Sequence, residues 1–452
     1  MINKFTLNIE SSVRSALKKI DSNGIGLIII IDNQNRVYGT LSDGDIRRFI
    51  IDGGNINDSV KKCMNKNFVK GSSIKEREEL LKKLDRGISA IPIIDSNGIL
   101  VEIVTREYFP ISNDNSYYVR SRAPARISFG GGGSDLTYYF NDNKAAVINS
   151  AINLFSHALL IPSSREKIEI FSDDLNIYKE YSSINELKQD TQSDIKLINS
   201  TIDMINPSFG FRLEINSDFP IGSGLGGSAS VVSSIIGAFN HLRDSKLDNY
   251  EMSELAFQAE RLKLNIAGGW QDQYASVFGG FNFIEFNNED NIVHPLRINN
   301  ETILELEESL ILVNTNMYHK SNEIHKDQKK EVSNSKIKTY MKQNVQLSYQ
   351  IRDCLLRGKL NDFGSLLNEA WVLKKKFSKK ITNPKLNNYY ELAIKNGAIG
   401  GKLLGAGSGG HFIFFTNFKN KFSLIKALNN EGLDISRFSF NLEGLTSWQI
   451  NY

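Results

Sequence analysis

Apolar positions in the first 110 residues fall into short runs that come in pairs. The run Leu27–Ile31 is followed by Asp32-Asn-Gln-Asn and a second apolar stretch, and residues 91–94 are followed by Asp95-Ser-Asn-Gly and another. Laid on each other, Asp32 falls on Asp95 and Ser42 on Thr105 at one common offset, which predicts two strand-turn-strand units. Polar-apolar stretches at residues 12–21 and 74–85, each opened by a serine that suits an N-cap, predict a helix before each unit. Residues 43–52 predict one after the first. Residues 110–118 begin with Pro110 and lack periodicity, which marks a joint. Beyond it, residues 126–129 and 410–415 read as buried strands. Residues 231–242, small and apolar, read as a buried helix, and Phe363-x-x-Leu-Leu-x-x-Ala-Trp-x-Leu-x-x-x-Phe377 has the spacing of an amphipathic one.

Three glycine clusters punctuate this second part: Gly130 to Gly133 with Ser134 and Asp135, Gly222 to Gly227 within Pro220-Ile-Gly-Ser-Gly-Leu-Gly-Gly-Ser-Ala-Ser230, and Gly400 to Gly410. Glycines admit positive φ and turn several N–H groups into one concave loop, and the helix after Gly227 points its positive end at the same place. That is a cradle for phosphate. Such turns also join strands to helices for packing alone, but three of them beside β-like runs suggest a nucleotide and a second substrate. No lysine follows the last glycine of the central loop, as a Walker loop would need, and no acidic residue lies at a strand end about twenty positions on, as a dinucleotide fingerprint would need.

Composition narrows the class without naming it. The 452 residues are 40% apolar, enough for two or three cores, and 54 basic against 51 acidic residues leave a net charge of +3 with no basic patch, so nothing argues for nucleic acid. Leu27–Ile31 is far short of the roughly 18 residues that span a bilayer, and the first ten residues lack an apolar signal core, so a cytoplasmic protein without membrane attachment is expected. Cys63 and Cys354 are too few for a disulfide framework, and His319 and His325 read as a polar helix face rather than as metal ligands.

Residues 117–452 resemble the GHMP sugar and metabolite kinases. Pro220 to Ala229 resembles the family's ATP-phosphate loop. Arg122-Ala-Pro-Ala-Arg126 with the glycines after it and Asp135 resembles its N-terminal substrate motif, and Lys402-Leu-Leu-Gly-Ala-Gly-Ser-Gly-Gly410 resembles its C-terminal glycine motif, all in the family's order. Arg126-Ile-Ser-Phe-Gly-Gly-Gly-Gly-Ser-Asp-Leu136, Ala267-Gly-Gly-Trp-Gln-Asp-Gln273 and Leu366-Leu-Asn-Glu-Ala-Trp371 are most similar to the members that act on D-glycero-D-manno-heptose 7-phosphate; fucose and other sugar kinases share much of this wording. The first 110 residues resemble a CBS-domain pair. The resemblances imply an α+β fold: a CBS-domain pair over residues 1–112, a linker at 113–118, a ribosomal S5-like α/β sandwich over 119–300 and a ferredoxin-like domain over 301–452.

The same resemblances imply a site. Pro220, Gly222, Ser223, Gly224, Leu225, Gly226, Gly227, Ser228 and Ala229 would hold ATP, and Ser228 with Glu260 would hold Mg²⁺, although Glu260 alone would read as a solvated helix charge. Asp272 would accept or orient the proton of the acceptor hydroxyl with Arg126 beside it, unless the two form a structural ion pair. Gly131, Gly132, Gly133, Ser134, Asp135, Gly405, Gly407 and Gly409 would meet the sugar. Lys374 and Lys402 would meet a phosphate on it, Lys374 to Lys376 reading equally as a solvated face. Residues 315–322 depart from the more basic wording expected of related kinases. In the CBS pair, Ser42 and Asp45 would hold an adenine nucleotide. Tyr108 replaces the aspartate in the second copy, so one nucleotide site is expected, or a purely dimerising module in a homo-oligomer. The expected activity is phosphorylation of the anomeric hydroxyl of heptose 7-phosphate by ATP. The alternatives are a kinase of another sugar such as fucose, and a nucleotide-sensing protein with a degenerate kinase half.

Overall fold

A computed structural model describes residues 2–72, 76–109, 117–191, 193–317, 324, 326–328 and 334–451. Ile74, Pro110, residues 113–116 of the expected linker, residues 318–322, His319 and His325 lie outside the described residues. The chain falls into two compact units, Met1–Asn115 and Ser116–Tyr452.

In the first unit the paired apolar runs form hairpins. Helix α1 (Val13–Asn23), N-capped by Ser12, precedes strands β1 (Leu27–Ile31) and β2 (Val37–Ser42), and helix α2 (Asp43–Ile51) follows. Helix α3 (Arg77–Asp85) precedes β3 (Ala90–Ile94) and β4 (Leu100–Thr105) and has no side-chain cap among the described residues; Ser73, which opens the expected helix, lies outside them. The repeat is carried by turn chemistry. Asp32 Oδ1 accepts from the N–H groups of Gln34 and Arg36 at 2.8 and 2.9 Å, and Asp95 Oδ1 accepts from Asn97 and Ile99 at 2.9 and 2.8 Å. Val13, Ile20, Ile28, Ile30, Leu41 and Ile46 close one small core.

The second unit is built on a long antiparallel pair, β5 (Tyr117–Gly130) and β6 (Ala145–Ser163). Five further strands extend the sheet from β6: β7 (Ile168–Ser172), β8 (Ile177–Tyr181), β9 (Gly210–Ser217), β10 (Phe281–Phe286) and β11 (Asn291–Pro295), in the order β11-β10-β6-β9-β7-β8. Helix α4 (Lys196–Ile205) lies between β8 and β9 in the chain. Helix α5 (Gly227–His241) packs on β5 and β6, and α6 (Asn249–Phe257) and α7 (Gln271–Phe278) pack beside it. Eleven of the fifteen residues of α5 are buried, as its small apolar composition predicts.

A second, four-stranded antiparallel sheet combines β12 (Leu310–Asn314), β13 (Ala398–Leu403), β14 (His411–Thr416) and β15 (Asp434–Ser436) in the order β13-β14-β12-β15. Helix α9 (Ser335–Leu356), which follows α8 (Asn300–Ser309), packs on β5 and β6. Helices α10 (Leu360–Lys374), α11 (Pro384–Lys395) and α12 (Lys421–Asn430) pack on the smaller sheet. A last strand, β16 (Thr446–Asn451), returns to pair with β5. The two sheets share one core. The Phe129 ring of β5 meets Phe363 of α10 edge-on at 5.3 Å between centroids, and Phe363 meets Phe415 of β14 at 5.8 Å. This is the expected α+β arrangement. The amphipathic helix read over residues 363–377 stops at Lys374, with Phe377 beyond it.

Candidate active site

The three glycine clusters come together, and the central one is held from two sides. Arg126 of β5 gives to it twice: its N–H donates to the Leu225 carbonyl at 2.9 Å, and its Nη1 donates to the Gly224 carbonyl at 2.7 Å. From the other side, the N–H of His411 donates to the Ser223 carbonyl at 3.1 Å. A Cβ at Gly405 would lie 2.8 Å from the Gly224 Cα, closer than packed atoms approach, so these two backbones touch only because both residues are glycine. Gly226, at φ 79°, ends the loop, and Gly227 and Ser228 begin α5 with their free N–H groups directed at the loop.

Next to this loop stand the acid and the cations. Arg126 Nε donates to Asp272 Oδ1 at 2.8 Å, and the arginine is 3% exposed. Asp272 lies in the first turn of α7. That turn is fixed by Asp135, whose Oδ2 accepts from the Gln271 N–H at 3.2 Å and whose Oδ1 accepts from the Gly133 N–H at 2.9 Å. A Cβ at residue 269 would fall 1.8 Å from Asp135 Oδ2, so only Gly269 lets the buried carboxylate lie there. Burial first, and then the charge of Asp272, push the Asp135 carboxyl above its ordinary range, against the two N–H donors. Lys374, at the end of α10, donates to the Gly405 carbonyl. Burial and the Arg126 charge hold its ammonium down to about 8, while Asp135 and Asp272 act the other way.

On the far side of the loop, Ser228 Oγ donates to Glu260 Oε1 at 2.5 Å, and Gln273 Nε2 donates to Glu260 Oε2 at 2.7 Å. Glu260 is 1% exposed, so it is not a solvated helix charge. It sits in a π-helical turn, Gln258–Lys263, that follows α6, and such turns recur at functional sites.

These groups line one cavity of about 500 Å³. Pro220, Gly222, Ser223, Gly224, Gly226, Gly227, Ser228, Glu260, Arg126, Asp272, Asp135, Gly132, Gly133, Lys374 and Gly405 all face it. Leu225 and Ala229 do not; both are fully buried beneath the loop. Gly131 packs its α-carbon against the Ala146 carbonyl, and Ser134 Oγ donates to that same carbonyl, so both support the loop from behind. Gly407 packs on Ile381, and neither it nor Gly409 lines the cavity. Lys402 is also set back: its Nζ donates to the Phe129 carbonyl at 3.2 Å, and burial, then the charges of Lys374 and Arg126, hold its pKa well below the usual lysine range.

Sequence reasoning missed the apolar end of the cavity. Leu175, Ile195, Leu197, Ile198, Ile215 and Val231 line it, drawn from the β7–β8 turn, the start of α4, β9 and α5. They form no motif, and their spacing is that of ordinary core residues. In the first unit, Ser42 and Asp45 meet each other: Ser42 Oγ donates to Asp45 Oδ2 at 2.6 Å in the capping box that opens α2, and Arg48 Nη2 donates to Asp45 Oδ1 at 2.6 Å. At the equivalent place in the second copy Thr105 Oγ1 accepts from the Tyr108 N–H at 3.0 Å, and no helix follows among the described residues.

Comparison with known proteins bears on both units. Residues 194–280 match the family described as GHMP kinases N terminal domain, residues 351–433 match GHMP kinases C terminal, and residues 1–52 and 60–109 match the CBS domain. The chain is 39% identical over 336 residues to D-glycero-alpha-D-manno-heptose 7-phosphate kinase of Campylobacter jejuni, a match that covers 74% of this chain and 99% of that one. A crystal structure of a D-glycero-D-manno-heptose 1-phosphate kinase from Bacteroides thetaiotaomicron superposes with a TM-score of 0.63 at 30% identity, over 74% of this chain and all of the other. Over 105 residues, 22% of the chain, it is 31% identical to arabinose 5-phosphate isomerase GutQ of Salmonella typhimurium, with 32% of that protein covered.

Proposed function

The chain belongs to the GHMP kinase family, and on that premise we propose that it transfers the γ-phosphoryl group of ATP to the anomeric hydroxyl of D-glycero-D-manno-heptose 7-phosphate, giving the 1,7-bisphosphate and ADP. The observation that carries this reading is a single cavity in which the phosphate loop meets Asp272, Arg126 and Lys374, in a chain that spans nearly all of a heptose 7-phosphate kinase. Phosphoryl transfer asks mainly for positioning and charge neutralisation, and both are laid out here.

The nucleotide phosphates lie on the N–H groups of the loop at residues 222–228 and on the start of α5, with the base against the apolar end formed by Leu175, Ile195 and Ile198. Ser228 and Glu260 offer adjoining hard oxygen donors, a set that suits Mg²⁺. They are the residues that would hold it, and the ion would neutralise charge on the phosphates. Asp272 takes or orients the proton of the attacking hydroxyl. The bond from that oxygen to the γ-phosphorus forms as the bridge to the β-phosphate breaks, and Arg126 offsets the charge that gathers at the attacking oxygen. Lys374 lines the same cavity as Arg126, Asp135 and Asp272, which supports a role for its charge at the transferred group.

The resemblance of residues 1–52 and 60–109 to CBS domains supports an adenine nucleotide site in the first unit, with Ser42 and Asp45 as its candidate residues. Use of ATP as co-substrate supports a cytoplasmic location. The deciding experiment is an acceptor screen with Mg·ATP in which phosphorus NMR follows the product. Heptose 7-phosphate is expected to be phosphorylated at C1 in preference to unphosphorylated heptose and fucose. Equal or better turnover of an unphosphorylated sugar would overturn the assignment of the acceptor.

A further inference from the structure

Two polar side chains in the cavity have no role in the transfer just described. Ser128 lies two residues beyond Arg126 on β5, and since side chains alternate along a strand both emerge on the cavity side. Gln271 precedes Asp272 in the first turn of α7 and also lines the cavity. Ser128 is 5% exposed and Gln271 is 9% exposed, yet Ser128 Oγ and Gln271 Oε1 have no hydrogen-bond partner among the described residues. Buried polar atoms are nearly always paired, and such exceptions in a binding cavity point to a missing ligand group. The Ser128 hydroxyl and the Gln271 amide border one place, the amide with its Nε2 toward it. A Cβ built on Gly132 would lie 3.6 Å from Ser128 Oγ and 3.6 Å from Gln271 Nε2, so the open space above that glycine is flanked by a hydroxyl and an amide. The floor beneath is fixed, because Asn344 Nδ2 donates to the Gly132 carbonyl at 3.3 Å and Asp135 holds the Gly133 N–H.

We propose that Ser128 and Gln271 form a two-point clamp over Gly132 on one hydroxyl of the acceptor ring, a hydroxyl other than the one phosphorylated, and so set which sugars are accepted. A hydroxyl both donates and accepts one hydrogen bond, which matches an amide N–H on one side and a serine oxygen on the other. A hydrogen or a methyl group at that carbon leaves both protein groups unpaired, and sites built in this way reject the analogue strongly. The clamp rests on the reading of the protein as a sugar kinase with its acceptor beside Asp272.

The test compares the wild type with Ser128→Ala and Gln271→Met on the acceptor and its series of monodeoxy analogues. For the wild type, one analogue is expected to lose about 100-fold in kcat/KM relative to the parent sugar. In each variant the parent's KM rises about tenfold or more, the KM for ATP stays within about twofold, and discrimination against that one analogue collapses while it persists against the others. Melting temperatures measured alongside establish that each variant is folded. Variants that keep the wild-type ratio for every analogue, or that raise the KM for ATP as much as that for the sugar, would overturn the clamp. If the wild type phosphorylates a sugar other than a heptose phosphate, the acceptor assignment falls and the same series on that sugar decides the clamp. If it phosphorylates no sugar, both fall.

Discussion

Asp272 and Lys374 call for different tests. Asp272→Asn keeps the shape of the side chain and its place beside Arg126 but removes the proton acceptor, so turnover is expected to fall about 10²- to 10⁴-fold with little change in nucleotide affinity. Steady-state kinetics with a nucleotide-binding titration checks this, and unchanged turnover would leave the pair as a structural ion bridge. Lys374 loses its proton near pH 8, so a rate that depends on its charge declines as pH rises past about 8. Stability moves the other way. Between about 8 and the ordinary lysine value of 10.5, the unfolded chain holds a proton that the native chain has released, so unfolding takes up protons and stability increases with pH through that window. Lys374→Met should reduce that slope, leaving the part that Lys402 contributes, as read by denaturant unfolding at pH 8 and pH 10. At this scale the sequence carried the residues that belong to a spaced motif, such as Arg126, Asp135 and Asp272. It did not separate Lys374 from Lys402, because which of two lysines reaches a cavity depends on helix and strand packing. Nor did it single out Ser128 or Gln271, whose importance lies in partners they lack.

Elements set the distances between those residues, and glycine sets how near the elements come. Gly405→Ala puts a methyl group at a φ of 68° and into the Gly224 backbone. Such a substitution is expected to destabilise the protein by roughly 1–3 kcal/mol and to raise the KM for ATP by displacing the phosphate loop. Thermal unfolding and nucleotide kinetics together test it; a rise in KM for the sugar alone would contradict the placement of the loop. The π-helical turn at Gln258–Lys263 makes a separate prediction. Glu260→Gln preserves the contact with Ser228 but weakens the donor set, so half-maximal activity should require about tenfold more Mg²⁺ or greater. The hairpins of the first unit were legible because Asp32 and Asp95 close the same turn, and β14 because Phe412 to Phe415 is an unbroken apolar run. The π turn was not, since the residue it adds to a helical turn carries no residue-type signature.

For the whole molecule, the relative from Campylobacter jejuni is matched over nearly its full length by 74% of this chain, so a kinase of this family is complete without a counterpart of residues 1–115. A fragment of residues 117–452 is therefore expected to keep the catalytic constants of the full chain measured without added nucleotide. A fragment of residues 1–115 is expected to bind an adenine nucleotide, more weakly with Ser42→Ala. Calorimetry checks the second point, and absence of heat for every adenine nucleotide would leave that unit a structural role. The capping box adds a condition: a ligand that takes the Ser42 hydroxyl competes with the helix start that it caps.

The contact of Lys374 with the Gly405 carbonyl, and of Gly405 with Gly224, ties the acceptor pocket to the nucleotide loop through two touching backbones. On the proposed reading, a shift that ATP imposes on the loop is passed to the Lys374 ammonium, and thermodynamic reciprocity then requires the sugar to return the same factor to the nucleotide. The two substrates should thus bind synergistically, each tightening the other by an equal ratio, and the enzyme should spend little ATP on water when no sugar is bound.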